Sequence, residues 1–185
     1  LTMAQLLAEF RLHARYIRSP AEILRRINDL FVVRSQRGAF CTMTYFEVDL
    51  ATGEAVGASA GHHPTLVVSD DQVRQVLAGS GPPVGILPDL EWQNEVFTLK
   101  SGDTAVMYTD GIAEAKATAT VVSGTDGGEN EFGLERLEHS VRRLSAEGPR
   151  VLVAGVIEDV QRFTAPLAPH DDSTMIAMRY VGHDA

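Results

Sequence analysis

The apolar residues first change their period at Phe40, and that change constrains the fold more than any other feature of the chain. Before it, Met3, Leu6, Leu7, Phe10, Ala14 and Ile17 recur at three and four, the spacing of one helical stripe, while Glu9, Arg11 and Arg15 fall elsewhere on the wheel. Ser19-Pro20-Ala21-Glu22 predicts a second helix start, with Ser19 as N-cap, Pro20 in the first turn and Glu22 closing a capping box. Ile23, Leu24, Ile27, Leu30 and Phe31 form its apolar face. From Phe40 to Leu50 the pattern alternates, which predicts a strand. Its apolar positions pass from odd (Cys41, Met43, Tyr45) to even (Phe46, Val48, Leu50), which predicts a bulge near Tyr45.

Further apolar runs at Ala55–Ala60, Thr65–Val68 and Val73–Leu77 are separated by turn residues and predict a meander of antiparallel strands. Glu95–Leu99 and Thr104–Tyr108 flank Lys100-Ser101-Gly102-Asp103, which reads as a hairpin, with Asp103 shaping its turn. Ala117–Asn130 is rich in Thr, Ser and Gly and predicts a mobile surface loop. Two helices follow, with apolar faces Leu134, Leu137, Val141, Leu144 and Leu152, Val153, Val156, Ile157, Val160, and then a last strand over Thr174–Val181. Helices and strands segregated in this way predict an α+β domain whose antiparallel sheets are covered by helices. At 185 residues, with 44% apolar side chains, residues 1–185 are expected to form a single domain with a real core.

The formal charge of −9 opposes contact with a phosphate backbone, so nucleic acid is not an expected partner. No apolar run approaches the length that crosses a bilayer, so no membrane association is expected. Cys41 is the only cysteine, which excludes an intrachain disulfide and suits a reducing, cytoplasmic setting. In a predicted strand it reads as a small buried apolar residue rather than a nucleophile.

Two acidic elements stand out. The strand Thr104–Tyr108 delivers Asp110 to its end, followed by Gly111, and Asp171-Asp172-Ser173-Thr174 opens the last strand. If those strands are neighbours in one sheet, the carboxylates meet and form a site for a hard divalent cation, Mg²⁺ or Mn²⁺, which is held by few protein oxygens. His62 and His63, adjacent on an extended segment, point to opposite faces and read as turn packing. His13, His139 and His183 have no partner at ligand spacing, whereas His170, beside the acidic pair, could approach a bound phosphate.

Six elements occur in order: Ser59-Ala60-Gly61-His62-His63-Pro64, Pro82-Pro83-Val84-Gly85, Ser101-Gly102-Asp103, Tyr108-Thr109-Asp110-Gly111 with Glu114-Ala115, Phe132-Gly133, and Asp171-Asp172-Ser173-Thr174. Together, from about Leu1 to Tyr180, they resemble the SpoIIE/RsbU-like branch of the PPM-type (protein phosphatase 2C-like) metal-dependent protein phosphatases. The resemblance implies a four-layer αββα sandwich of two antiparallel sheets flanked by helices, with two Mn²⁺ or Mg²⁺ ions whose activated water attacks phosphoserine or phosphothreonine. It implies Asp110 and Asp171 as metal ligands, Asp172 as a further candidate and Gly111 as the loop glycine beside them. It implies as substrate a phosphorylated bacterial regulatory protein such as an anti-sigma-factor antagonist, and admits an upstream sensor domain.

The family also carries a Gly-Asp-Val-x-Gly-His-Gly element whose aspartate bridges both metals, just before the helix corresponding to Thr2–Ile17, and this element is not among the 185 residues. The expectation is a fragment that lacks its N-terminal strands, exposes a sheet edge and holds at most one ion loosely. The alternative is a catalytically inactive phosphatase-fold module that grips a signalling partner, and a third reading is an unrelated α+β domain. The Ala117–Asn130 loop, between the Thr109-Asp110-Gly111 and Phe132-Gly133 elements, is a candidate for substrate choice.

Overall fold

The computed structural model describes residues 2–34, 38–79, 81–117, 131–167 and 171–182. His170, His183 and the 117–130 loop beyond Ala117 lie outside them. Helices α1 (Thr2–His13) and α2 (Pro20–Arg34) precede strands β1 (Met43–Val48), β2 (Glu54–Ala60), β3 (Thr65–Ser69), β4 (Gln72–Val76), β5 (Glu95–Thr98) and β6 (Thr104–Tyr108). Then come α3 (Asp110–Ala113), α4 (Gly133–Leu144), a 3₁₀ turn at Ser145–Glu147, α5 (Pro149–Thr164) and β7 (Met175–Arg179). The strands form a three-stranded sheet ordered β1-β2-β5 and a four-stranded sheet ordered β4-β3-β6-β7. The chain divides into two compact units, each with one of these sheets.

In the first unit α2 lies against β1 and β2, and α1 against α2. Ile23, Leu24, Ile27 and Phe31 of α2 are buried, as the sequence predicts, and each such side chain contributes about 1.5–3 kcal/mol of burial. The stripe on α1 is narrower than expected. Leu6 is buried with Phe10, Ala14 and Ile17 packed beside it, but Met3 and Leu7 are exposed. The helix therefore buries only the side that meets α2.

The expected bulge near Tyr45 is absent. Residues of β1 and β2 pair one to one, from Met43 with Ala60 to Val48 with Ala55. The switch of apolar parity has another cause, since both faces of β1 have apolar neighbours. Tyr45 meets Phe10 edge-on at 4.8 Å, and Phe46 meets Phe97 at 5.6 Å on the opposite face.

The start of α2 also differs in part from the capping box. Ser19 Oγ accepts the Glu22 N–H at 3.3 Å, but the Glu22 carboxylate turns to Arg25 and Arg26. Asn94 completes the cap from a distant loop: its Oδ1 accepts the Ala21 N–H at 2.8 Å and its Nδ2 donates to Ser19 Oγ at 3.0 Å. Asn28, fully buried in α2, fastens the Gly/Pro loop by accepting from the Gly85 N–H at 2.8 Å and donating to the Leu87 carbonyl at 3.0 Å.

In the second unit α4 and α5 pack on each other, α4 against β3 and α5 against β7. Leu66, Val106, Ile112, Leu137, Val141, Leu152 and Val156 are fully buried between helices and sheet. The two helices are joined through Asp159, which accepts from Ser140 Oγ at 2.7 Å and pairs with Arg143 and with Arg162 at 3.0 Å. Burial pushes the Asp159 carboxyl up, but the Ser140 hydrogen bond and the Arg143 guanidinium outweigh it and hold the group below the usual carboxylate range.

Two expected connections are corrected. β2 and β3 are not neighbours in a meander, because they belong to different sheets, and only β3 and β4 pair directly, around a turn with Asp70 and Asp71 at positive φ. β5 and β6 are likewise in different sheets, so Lys100–Asp103 is a tight turn but not a hairpin. Asp103 does shape it: the buried carboxylate accepts the Lys100 N–H at 2.9 Å, and Gly102 has φ of +95°. Local turn chemistry was legible, but the sheet each strand joins depends on partners distant in sequence.

The hydrogen bond from Arg25 holds the Glu22 carboxyl down to about 2 from an ordinary 4.5, with Arg26 adding to the effect against a smaller opposing effect of burial. A folded-state value below the unfolded one stabilises the fold fully above about pH 5 and loses that contribution as pH falls toward about 2. Urea unfolding of Glu22→Gln beside the wild-type chain should show a lower midpoint at neutral pH and a difference that closes as pH approaches about 2. A difference that stays constant with pH would contradict this assignment.

Candidate functional site

β6 and β7 are antiparallel neighbours, with Tyr108 opposite Met175, so the condition set by the sequence for the two acidic elements to meet is satisfied. The pairing continues past the strand ends. The Thr109 N–H donates to the Thr174 carbonyl at 3.0 Å, and Thr109 Oγ1 accepts the Thr174 N–H at 3.0 Å while donating to the Asp172 carbonyl at 3.3 Å. Ser173 Oγ adds a bond to the Gly111 carbonyl at 2.9 Å. Residues 63 apart in sequence are thereby held backbone to side chain by neutral hydrogen bonds.

Gly111 is required by this approach. A Cβ there would stand 2.9 Å from the Asp172 carbonyl carbon and closer still to its oxygen, which is rigid backbone. Gly155 offers a contrast, because a Cβ there meets only the Leu144 side chain, 2.6 Å from its Cδ1.

Asp110 begins α3, and its Oδ1 accepts the Gly111 N–H at 2.9 Å; its carbonyl accepts from Glu114 at 2.7 Å. Asp171 repeats the arrangement, its Oδ1 accepting the Asp172 N–H at 2.7 Å. One oxygen of each carboxylate is thus tied to the backbone, and Oδ2 of each has no partner among the described residues. Both side chains and that of Asp172 are exposed.

Asp110, Gly111, Asp171 and Asp172 all line one cleft of about 380 Å³. Its opposite wall comes from α5, through Ile157, Val160, Gln161 and Thr164. Glu114 and Lys116 complete it, neither of which the sequence reading assigned a role. Glu114 could have been found, since it lies one helical turn beyond Asp110. Gln161 and Thr164 carried no signal, because a polar residue on an amphipathic helix normally marks the solvent face. Burial pushes the Tyr108 hydroxyl up to about 12, with Glu138 adding to it, so the strand leading to Asp110 brings no further charge near neutral pH.

The donor set fits a hard divalent cation: two residues that line one cleft each keep a carboxylate oxygen without a hydrogen-bond partner among the described residues, and Mg²⁺ needs only one or two carboxylates besides water. Among the described residues no three His, Cys, Asp or Glu side chains stand together as a ready metal cluster. The remaining candidates lie elsewhere. His62 Nδ1 is 3.2 Å from Thr42 Oγ1 in the first unit, and Cys41 is half-buried there, where burial pushes its thiol up and keeps it protonated. Among the described residues no helix is long and apolar enough to cross a membrane.

Two antiparallel sheets with flanking helices match the fold of PP2C-like phosphatase domains. The family model for stage II sporulation protein E (SpoIIE) matches residues 1–181, and the chain belongs to the SpoIIE family. It is 30% identical over 97 residues to the phosphoserine phosphatase RsbP of Bacillus subtilis, covering 52% of this chain and 24% of RsbP. It is 25% identical over 163 residues to the phosphoserine phosphatase RsbU of the same organism, covering 86% of this chain and 45% of RsbU. The chain thus spans less than half the length of these curated relatives. Among solved structures, the RsbU and RsbW domains of Rv1364c from Mycobacterium tuberculosis align with a TM-score of 0.76 at 23% identity, over 100% of this chain and 49% of that one. The catalytic domain of the serine/threonine phosphatase PstP, in complex with two manganese ions, aligns with a TM-score of 0.59 at 13% identity, over 95% of this chain and 78% of that one.

Gly111→Ala should destabilise the protein by about 1–3 kcal/mol, as overpacking against fixed backbone does, while Gly155→Ala should cost less because a helical alanine offsets the contact by about 1 kcal/mol. Urea midpoints of the two variants check the ordering; equal midpoints would show that the Gly111–Asp172 approach is not constrained.

Proposed function

We propose that this chain is the phosphatase domain of a bacterial signalling protein and removes phosphate from phosphoserine or phosphothreonine on a small regulatory protein. The observation that carries the reading is the convergence of Asp110, Asp171 and Asp172 on one cleft, beneath a hydrogen-bonded junction of two strand ends. Asp110 and Asp171 would hold a divalent cation through their free oxygens, with Asp172 beside them. When bound, Mn²⁺ or Mg²⁺ supplies a nucleophile from water near neutral pH and offsets phosphoryl charge.

The chain's own residues do the rest. The Gly111 and Asp172 N–H groups fix one oxygen of each carboxylate and so orient the other. Thr109 and Ser173 hold the two acidic segments at a set separation although their charges repel. The apolar wall of Ile157 and Val160 keeps one side of the cleft poor in water. The relatives RsbP and RsbU, both phosphoserine phosphatases, support this reaction, and a partner of the anti-sigma-factor antagonist class is what the resemblance of the ordered motifs implies.

A second reading is favoured by one observation: no three potential ligands stand clustered among the described residues. In that reading the fold binds a signalling partner without hydrolysis. Turnover separates the two. With millimolar Mn²⁺ the full-length protein should hydrolyse a phosphoserine peptide, and Asp110→Asn or Asp171→Asn should each lower kcat/KM by roughly a hundredfold or more, as loss of a charge-stabilising group in the site does. Absence of metal-dependent turnover in the folded wild-type protein would sustain the binding reading, and unchanged rates in both variants would remove these residues from the site.

A further inference from the structure

We propose that Lys116 is the substrate-binding cation of the cleft, exchanging its contact with Glu131 for the phosphoryl oxygens of a bound phosphoprotein. The inference deepens the phosphatase reading and rests on it. Of the described residues that line the cleft, Asp110, Glu114, Asp171 and Asp172 carry carboxylates and Lys116 alone carries a cation. A phosphate monoester brings nearly two further negative charges at neutral pH, so entry needs a positive group from the protein as well as any metal.

The lysine is anchored at its base and loose at its tip. Its backbone bridges to Glu131, the neighbouring Ala115 carbonyl accepts the Phe132 N–H at 2.8 Å, and Arg136 donates to the Glu131 and Phe132 carbonyls at 3.1 Å each. The ammonium, in contrast, stands 3.7 Å from Glu131 Oε1, beyond hydrogen-bond distance, with the two side chains 51% and 40% exposed. Such a solvated pair holds weakly. A phosphate dianion offers more charge and more acceptor oxygens than one carboxylate, and a lysine on a flexible stem can follow it across the cleft. Glu131 then acts as a competitor that occupies Lys116 when substrate is absent.

The competition gives opposite effects to two substitutions. In the full-length protein with Mg²⁺ and a phosphoserine peptide, Lys116→Met should raise KM roughly five- to tenfold with kcat within about twofold, as loss of uniform binding does, and Lys116→Arg should restore most of it. Glu131→Gln should lower KM. A lysine that served only to hold the Lys116–Glu131 bridge would be harmed by both changes in the same direction. Inorganic phosphate affinity, measured by calorimetry in Mg²⁺, provides a readout independent of turnover, and should fall in Lys116→Met and rise in Glu131→Gln. Unchanged phosphate affinity in Lys116→Met, or shifts of the same sign in the two variants, would overturn the proposal. Failure of the wild-type protein to turn over phosphopeptide would instead count against the phosphatase reading, with phosphate calorimetry still deciding the role of Lys116.

Discussion

The site depends on the close approach of two backbone segments, Thr109–Gly111 and Asp172–Thr174. Their side chains would drive them apart, because four exposed carboxylates, Asp110, Glu114, Asp171 and Asp172, share one cleft. The junction is instead held by neutral bonds: Thr109 binds Thr174 through both backbone and hydroxyl, and Ser173 reaches the Gly111 carbonyl. The missing side chain at Gly111 makes the approach possible. In the proposed function, a carboxylate pair positioned in this way would be set before a cation arrives, which would lower the ordering cost of binding one.

The rest of the second unit keeps that junction in register. β6 pairs with both β3 and β7, so its end cannot shift without breaking two ladders. The buried faces of α4 and α5 press on the same sheet, and Asp159 ties one helix to the other. α5 therefore has two roles: its buried residues stabilise the core, and Gln161 and Thr164 near its C-terminus form the far wall of the cleft. The first unit is built on its own terms, with α2 over the β1-β2-β5 sheet and long-range caps from Asn94 and to the Gly85 loop through Asn28.

Much of this was legible from residue order. The helix periods, most strand positions and the acidic pair at two strand ends follow from local pattern, because side-chain periodicity reports which face is buried. The failures are equally physical. Phe46 and Tyr45 both count as apolar because each face of the strand has an aromatic neighbour, and only the one-to-one pairing with β2 shows that the strand is unbulged. The Gly102 turn has hairpin chemistry, yet its two strands find partners in different sheets. Asn94, Gln161 and Thr164 have no local signature at all, since their work is done across long sequence separations. The ordered motifs placed the chain in a family that local patterns alone would not have reached.

The central claim is that Asp110 and Asp171 act together on one divalent cation. Paramagnetic broadening of backbone amide signals by substoichiometric Mn²⁺ tests it most directly, because the effect falls steeply with distance from the ion and needs no turnover. The account predicts that the amides of Gly111, Asp172 and Ser173 broaden together and before any others, and that Asp110→Asn removes the effect at Asp172 as well as at Gly111. Broadening at only one of the two segments, or first at acidic residues outside the cleft, would contradict it.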